Sequence, residues 1–304
     1  MRLLRTPDHR FDGLPDYDFE PRYATVAGEI RVHYVDEGPR GSAPVILLHG
    51  EPSWSYLYRK MVPVLVATGH RVLAPDLVGF GRSDKPAERA DCSYQRHVEW
   101  MEELLFAHLD VRDATLVAQD WGGLIGLRAL ADQPDRFARA VVANTGLPTG
   151  DEPMSEAFLA WQRFSQSAKG FDIGRIVANG CAQPLAPEVV AAYDAPFPDD
   201  TYKEAARIFP SLVPTTPDDP AAAASRHAWT VLERWEGPFL CAFSDRDPIT
   251  AGGATPFLRR VPGAARVTPV TIEGGGHFLQ EDRGPELART VVDFIAATPL
   301  APGD

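Results

Sequence analysis

The chain has 304 residues, of which 44% are hydrophobic and 24% are charged, so it can form one large globular domain with an insertion. Its formal net charge is -12 and it has no run of Lys or Arg, which argues against nucleic acid or an anionic membrane surface as a partner. The first eight residues lack the apolar core of a signal peptide, and no stretch approaches the ~20 apolar residues of a membrane span.

The cysteine pattern indicates the kind of cellular compartment in which the protein works. Cys92, Cys181 and Cys241 are odd in number, widely spaced and without a CxxC pair. This pattern favours a reducing compartment over a disulfide framework or a zinc site. We therefore expect a cytoplasmic, soluble protein without a metal, and either a monomer or a weak homodimer.

In the first half of the chain, short apolar runs alternate with helical patterns. The runs are typical of strands covered on both faces, and they lie at 45–48, 71–74, 115–118 and 140–143. Helices are expected at about 56–67, at 94–108 and from residue 124 onward. The alternation predicts an α/β fold with a mostly parallel central sheet and helices on both faces.

This alternation stops after residue 147. Helical patches follow without a clear buried strand, at 154–166, 187–193 and 201–208. Strands are expected again at 239–243 and 267–272, with a final amphipathic helix at 285–296. We therefore predict a helical cap, residues 148–226, inserted between two parts of a sheet domain, residues 1–147 and 227–304.

The segment around Asp120 joins an apolar strand to a helix through a glycine-containing turn. This arrangement resembles the nucleophile elbow of α/β-hydrolases, but Asp120 stands where serine is usual. Asp is also a good helix N-cap, which is the simpler explanation for this residue alone. Asp247 and His277 follow later strands, and the order nucleophile, acid, histidine matches the triad order of that fold.

Two assignments in this triad, the acid and the histidine, have alternatives. Asp245 lies two residues before Asp247, and one of the two carboxylates could be a turn residue. We favour Asp247 as the acid. His277 follows three glycines and could be a structural loop histidine, but its combination with Asp120 and Asp247 favours a catalytic role.

An aspartate nucleophile suits attack on saturated carbon. A carboxylate is charged at neutral pH and can displace a leaving group to form an alkyl ester. Water deprotonated by His277 would then hydrolyse this ester, with the backbone N–H groups of Trp121 and Glu51 as the candidate oxyanion hole. A departing halide needs N–H donors such as the Trp121 indole, whereas an epoxide oxygen needs acidic O–H donors, for which Tyr193 and Tyr202 are available.

The chain resembles the haloalkane dehalogenases, in the subgroup whose halide site uses two tryptophans. The matching stretches are 49–59, 79–86, 119–123, 193–199 and 276–278. The resemblance implies Asp120 as nucleophile, His277 as base and Asp247 as its acid. It implies that a small apolar haloalkane and water yield a primary alcohol, a halide ion and a proton, without a metal or an organic cofactor.

The resemblance also implies a halide site formed by Trp121 and a second tryptophan on the cap. The other subgroups have an Asn where Glu51 stands here, so a cap donor is needed, and Trp161 fits best. Plain helix packing is the alternative for Trp161. Glu51 would line the halide and water site, or would be a surface loop acid. Phe158, Phe164 and Phe171 either line the pocket or belong to the core.

Three other functions remain open at this stage. An epoxide hydrolase shares the fold and the nucleophile but needs two cap tyrosines near Asp120. A fluoroacetate dehalogenase would have arginines beside the nucleophile, and Trp121, Gly122 and Gly123 provide none. A non-catalytic binding protein of the same fold is the third alternative, although such proteins usually lose part of the triad.

Overall fold

A predominantly parallel sheet forms the centre of the fold in this computed structural model, which describes residues 1–300; residues 301–304, the end of the predicted segment 227–304, lie outside the described residues. Within that range the strands are β1 (Leu3–Leu4), β2 (Arg22–Val26), β3 (Ile30–Glu37), β4 (Pro44–Leu48), β5 (Arg71–Pro75), β6 (Lys85–Pro86), β7 (Ala114–Gln119), β8 (Phe137–Ala143), β9 (Phe239–Ser244) and β10 (Val270–Ile272). Eight of them form one sheet in the order β10-β9-β8-β7-β4-β5-β3-β2. The β2–β3 and β3–β5 pairs are antiparallel and the other five pairs are parallel, which confirms the mostly parallel sheet.

The helices form layers over this sheet. They are α1 (Val62–Ala67), α2 (Tyr94–Glu102), α3 (Trp121–Asp132), α4 (Glu156–Ser167), α5 (Ile173–Gly180), α6 (Pro187–Asp194), α7 (Glu204–Ile208), α8 (Ala222–Leu232), α9 (Ala254–Arg260) and α10 (Leu279–Ala297). Helices α1 and α10 pack against each other, and α2 and α8 pack against α3. Every residue of β4 and β7 is buried, as expected for strands covered on both faces.

Several predicted boundaries differ from the observed ones. The helix expected at 56–67 is a 3₁₀ segment, Ser55–Tyr58, followed by α1, because Pro63 lacks an N–H and suits only the first turn of a new helix. Helix α2 continues as a π-helical segment, Glu103–His108. The last helix begins at Leu279 rather than 285 and contains a non-helical residue, Arg283, two positions before Pro285.

Helices α4 to α7 occupy the segment predicted as the cap. There α5 packs on α6, and α4 packs on α7. The boundary predicted between residues 226 and 227 lies inside α8, so it would divide a continuous helix. Helix α8 packs against α3.

Candidate active site

Asp120 lies in a strained turn between β7 and α3. Its φ of 50° and ψ of -126° are unusual for a residue with a side chain, although Asp tolerates positive φ better than most. The turn is held by a bond from the Asp120 N–H to the Asn144 carbonyl (3.0 Å) and by a bond from the Thr145 hydroxyl to the Asp120 carbonyl (2.6 Å). A Cβ on Gly122 would lie 2.0 Å from the Leu48 carbonyl oxygen, so this close approach requires glycine.

The structure brings Asp120, His277 and Asp247 together. His277 Nδ1 lies 2.9 Å from Asp247 Oδ2, and His277 Nε2 lies 3.7 Å from Asp120 Oδ2. The Ile249 N–H donates to Asp247 Oδ1 (2.9 Å), and the Thr250 hydroxyl donates to Oδ2. The other candidate acid, Asp245, accepts the Gly274 N–H (2.7 Å) instead.

The charges around His277 favour its protonated form. Burial alone would lower the pKa of His277, but the carboxylates of Asp247 and Asp120 raise it. Burial acts in the opposite direction on Asp247, yet His277 and Thr250 hold the pKa of this carboxyl below its usual value. Asp247 is therefore an ionised partner that orients His277 through Nδ1 and leaves Nε2 facing Asp120.

The backbone N–H of Glu51 donates to Asp120 Oδ1 (2.8 Å). His49 helps to fix this peptide, because its Nε2 accepts the Leu77 N–H (2.9 Å) and its Nδ1 donates to the Gly50 carbonyl (2.9 Å). Burial raises the pKa of Asp120, while His277 and the N–H groups of Trp121 and Glu51 lower it. These two N–H groups can therefore stabilise negative charge on the Asp120 carboxyl group.

The Glu51 side chain is buried beside the nucleophile, and its Oε1 has no hydrogen-bond partner within residues 1–300. Burial and the charge of Asp120 raise the pKa of Glu51 well above its usual value. The Trp161 indole faces this carboxyl and offsets the shift only in part. Burial and the Asp120 charge thus both favour the protonated form of Glu51 over its carboxylate.

A cavity of about 610 Å³ opens between the sheet edge and the cap. Asp120, His277 and Glu51 border it, as do both predicted halide-site indoles, those of Trp121 and Trp161. Most of the other lining side chains are apolar, including Leu124, Phe158, Ile176, Val213, Trp229 and Phe278. A cavity of this kind accommodates a small apolar molecule at the carboxylate.

The candidate pocket aromatics occupy different positions. Phe158 and Phe164 line the cavity, and Phe164 lies at its rim because 44% of its surface is exposed. Phe171 is fully buried in the stack behind Trp161 and does not line the cavity. Trp229 also lines the cavity. Its indole N–H donates to the Leu147 carbonyl (2.8 Å) and is therefore already engaged.

Neither of the two tyrosines considered as phenol donors lines the cavity. Tyr193 is fully buried and donates to Glu281 Oε1 (2.6 Å), so its hydroxyl is already engaged. Tyr202 does not line the cavity either, and none of the described residues that line it is a tyrosine. The phenol pair expected for epoxide opening is thus missing from the described cavity wall.

Sequence patterns did not reveal the residues that fix the His277 loop. Asn144 Nδ2 donates to the carbonyls of Gly276 (2.9 Å) and His277 (3.1 Å), which links the end of β8 to the loop. The buried Nε2 amide of Gln119 donates to the His277 carbonyl (3.2 Å) and lies 3.3 Å from the His277 Nε2 atom. The only available signal was that both polar residues directly follow or end a buried strand.

Neither a metal centre nor a membrane span is found in residues 1–300. No group of three or more His, Cys, Asp or Glu side chains there is arranged to hold a metal ion. In the same range, no helix is both long enough and apolar enough to cross a membrane.

Comparisons with known proteins agree with this geometry. A family model for the alpha/beta hydrolase fold matches residues 43–284. A haloalkane dehalogenase of Psychrobacter cryohalolentis is 56% identical over 303 residues, which cover 98% of this chain and 100% of that protein. A haloalkane dehalogenase of Mycolicibacterium paratuberculosis is 52% identical over 301 residues, which cover 98% of this chain and 99% of that protein. The tetrameric haloalkane dehalogenase of Paraglaciecola agarilytica superposes with a TM-score of 0.89 at 38% identity, covering 95% of this chain and 97% of that one.

Proposed function

The chain belongs to the haloalkane dehalogenases, hydrolases of the α/β-hydrolase fold that act on carbon–halide bonds, and from this premise we propose how its own residues carry out the reaction. The observation that carries the proposal is the position of Asp120. Its carboxylate lies 3.7 Å from His277 and borders an apolar cavity with two indoles in its wall.

In the first step, Asp120 Oδ2 attacks the carbon that bears the halogen. The new C–O bond forms as the carbon–halogen bond breaks, and the halide leaves with the bonding electron pair. Oδ1 remains on the Glu51 N–H, so Oδ2 is the oxygen free to react. The product is an alkyl ester of Asp120, and the indole N–H groups of Trp121 and Trp161 bind the departing halide.

In the second step, water adds to the carbonyl carbon of the ester. One water proton passes to His277 Nε2, and the resulting oxyanion is stabilised by the N–H groups of Glu51 and Trp121. The intermediate collapses, and the alcohol oxygen leaves with the hydrogen of the added hydroxyl. Asp120 is regenerated as a carboxylate, and the proton that His277 accepted from water passes to solvent.

The first step prepares His277 for the second. In the free enzyme the charge of Asp120 helps to raise the pKa of His277. Esterification removes that charge, so the pKa of His277 falls and its Nε2 becomes available as a proton acceptor. A proton on Nε2 in the free enzyme passes to solvent as this pKa falls, so formation of the ester favours the neutral His277 that accepts a water proton.

The epoxide alternative lacks support at the leaving group. Its alkoxide would need phenol donors near Asp120, and Tyr193 is committed to Glu281. The fluoroacetate alternative lacks a cation beside the nucleophile. Arg260, the arginine among the described lining residues, pairs with Glu233 (2.9 Å).

Halide release tests the proposal directly. The enzyme is incubated with 1-bromobutane or 1,2-dibromoethane for bromide release, and with styrene oxide for diol formation. Bromide without diol is expected. Diol without bromide would establish the epoxide reaction, and neither product would favour a binding protein. His277→Ala should retain one alkyl group on Asp120, which intact-mass spectrometry detects; an unchanged mass would refute the covalent route.

We also propose a cytoplasmic location and a monomer or weak homodimer. The location is supported by the free thiols of Cys92, Cys181 and Cys241. Light scattering over a range of protein concentrations tests the assembly. The Paraglaciecola relative is tetrameric, and a stable tetramer here would refute our proposal.

A further inference from the structure

The cap contacts the loop that carries His277 at the end of α5. The His277 N–H donates to the Gly180 carbonyl (2.7 Å), so the backbone of the candidate base is bonded directly to the cap. Both sides of this contact require glycine. A Cβ on Gly276 would lie 2.5 Å from the Gly180 oxygen, and a Cβ on Gly180 would lie 2.7 Å from the Phe278 ring.

A single carboxylate, that of Asp282, secures this contact. Its Oδ2 accepts the N–H groups of Gly276 (2.8 Å) and Ala182 (2.8 Å), and its Oδ1 accepts the N–H of Gln183 (2.9 Å). Asp282 therefore holds the residue before His277 and the turn after α5 at the same time. Hydrogen bonds from backbone N–H groups to an ionised carboxylate are stronger than neutral ones.

The neighbouring residue, Glu281, fixes the position of Asp282. Glu281 is buried and forms a salt bridge with Arg59, and its Oε1 also accepts the Tyr193 hydroxyl from α6 (2.6 Å). The start of α10 is thus anchored to the sheet domain and to a second cap helix. Asp282 cannot follow a displaced loop without disturbing this buried cluster.

We propose that Asp282 is a positioning residue for the ester-hydrolysis step, acting through the Gly276 N–H on the placement of His277. This inference rests on the proposed function. Alkylation depends on Asp120, whose backbone bonds to Asn144 and Thr145 and makes no bond to Asp282. Only the deprotonation of water requires His277 Nε2 to be in place, so loss of Asp282 slows the second step selectively.

The test compares Asp282→Ala and Asp282→Asn with Asp199→Asn. Asp199 is a matched control, since its carboxylate also accepts a backbone N–H in the cap, that of Thr201 (2.9 Å), but it forms no bond to the loop that carries His277. Rapid quenching with 1-bromobutane gives the rate of the bromide burst, and mass spectrometry follows the butyl ester on the enzyme. Steady-state kinetics give kcat and KM separately.

Asp282→Ala is expected to slow hydrolysis about 10- to 100-fold, the scale of a misplaced catalytic group, while the burst rate is retained. The ester accumulates, and kcat and KM fall together. Asp282→Asn keeps one acceptor oxygen, so its effect is expected to be smaller, and Asp199→Asn should match the wild type. If Asp282→Ala does not fold, the comparison of Asp282→Asn with Asp199→Asn decides.

Three results would overturn the inference: equal slowing of both steps, no change in hydrolysis, or the same selective slowing in Asp199→Asn. His277→Ala separates this failure from failure of the proposed function. If His277→Ala traps the ester but the Asp282 variants hydrolyse it at the wild-type rate, only the role of Asp282 is wrong. If His277→Ala traps no ester while the wild type releases bromide, the covalent mechanism itself is wrong.

Discussion

His97 on α2 is expected to make the protein sensitive to mild acid. It is 1% exposed, and neither ring nitrogen has a hydrogen-bond partner within residues 1–300. Its ring packs edge-on against Trp100 (4.8 Å between centroids) and Phe209 (4.4 Å). Burial lowers the pKa of His97 from 6.5 to about 3, so the folded protein keeps this ring neutral in mild acid.

The sign and size of the effect follow from linkage. Below pH 6.5 the unfolded chain binds a proton at His97 and the folded chain does not, so stability falls as the pH falls towards about 3. Each pH unit in this window contributes about 1.4 kcal/mol. At pH 5, His97 therefore lowers the free energy of unfolding by roughly 2 kcal/mol relative to pH 8.

His97→Phe removes this contribution and keeps an aromatic ring in the site. Urea unfolding at pH 8 and pH 5 measures the change, with the exposed residue His227→Phe as the control. The loss of stability between the two pH values should be about 2 kcal/mol smaller in His97→Phe than in the wild type. An equal loss in both proteins would show that His97 does not stay neutral in the folded state.

Three further predictions concern the active site. Glu51→Gln should retain most activity at neutral pH, because the raised pKa of Glu51 favours its protonated form, and the variant should not show the decline that ionisation of Glu51 causes in the wild type at higher pH. Halide-release rates measured across pH test this prediction. A loss of activity as severe as in Glu51→Ala would indicate that Glu51 is ionised. Trp161→Phe should weaken bromide binding roughly 10- to 100-fold through loss of one hydrogen bond to an anion, measured by fluorescence quenching, and unchanged affinity would place the second donor elsewhere. Gly50→Ala should abolish halide release, because its Cβ would lie 2.3 Å from the Cβ of Asp120, and an active variant would contradict this geometry.

The sequence was sufficient to predict those elements whose structure depends on residues that are neighbours along the chain. Strands β4, β5, β7, β8 and β9 are short apolar runs, and their ends could be predicted to within a few residues. Because the carboxyl ends of parallel strands meet at one edge of a sheet, the proximity of Asp120, Asp247 and His277 could also be expected. The choice of Asp247 over Asp245 depended on motif fit, and the structure places Asp247 beside His277.

Features that depend on distant contacts were missed. Asp282 accepts N–H groups from residues 182 and 183, about a hundred positions away, and no local pattern indicates this. Trp229 reaches the cavity because α8 runs back across α3, which the predicted boundary at residue 226 obscured. The start of α10 at Leu279 was missed because Pro285 suggested a first turn at that position.

The bond between the His277 N–H and the Gly180 carbonyl also restricts how substrate reaches the nucleophile. If the cap lifted as one rigid lid, it would break that bond and pull Tyr193 away from Glu281. We therefore expect α5 and α6 to stay in place during turnover. We expect haloalkane and alcohol to pass Phe164, which lines the cavity and is partly exposed, so rotation of this side chain would control access.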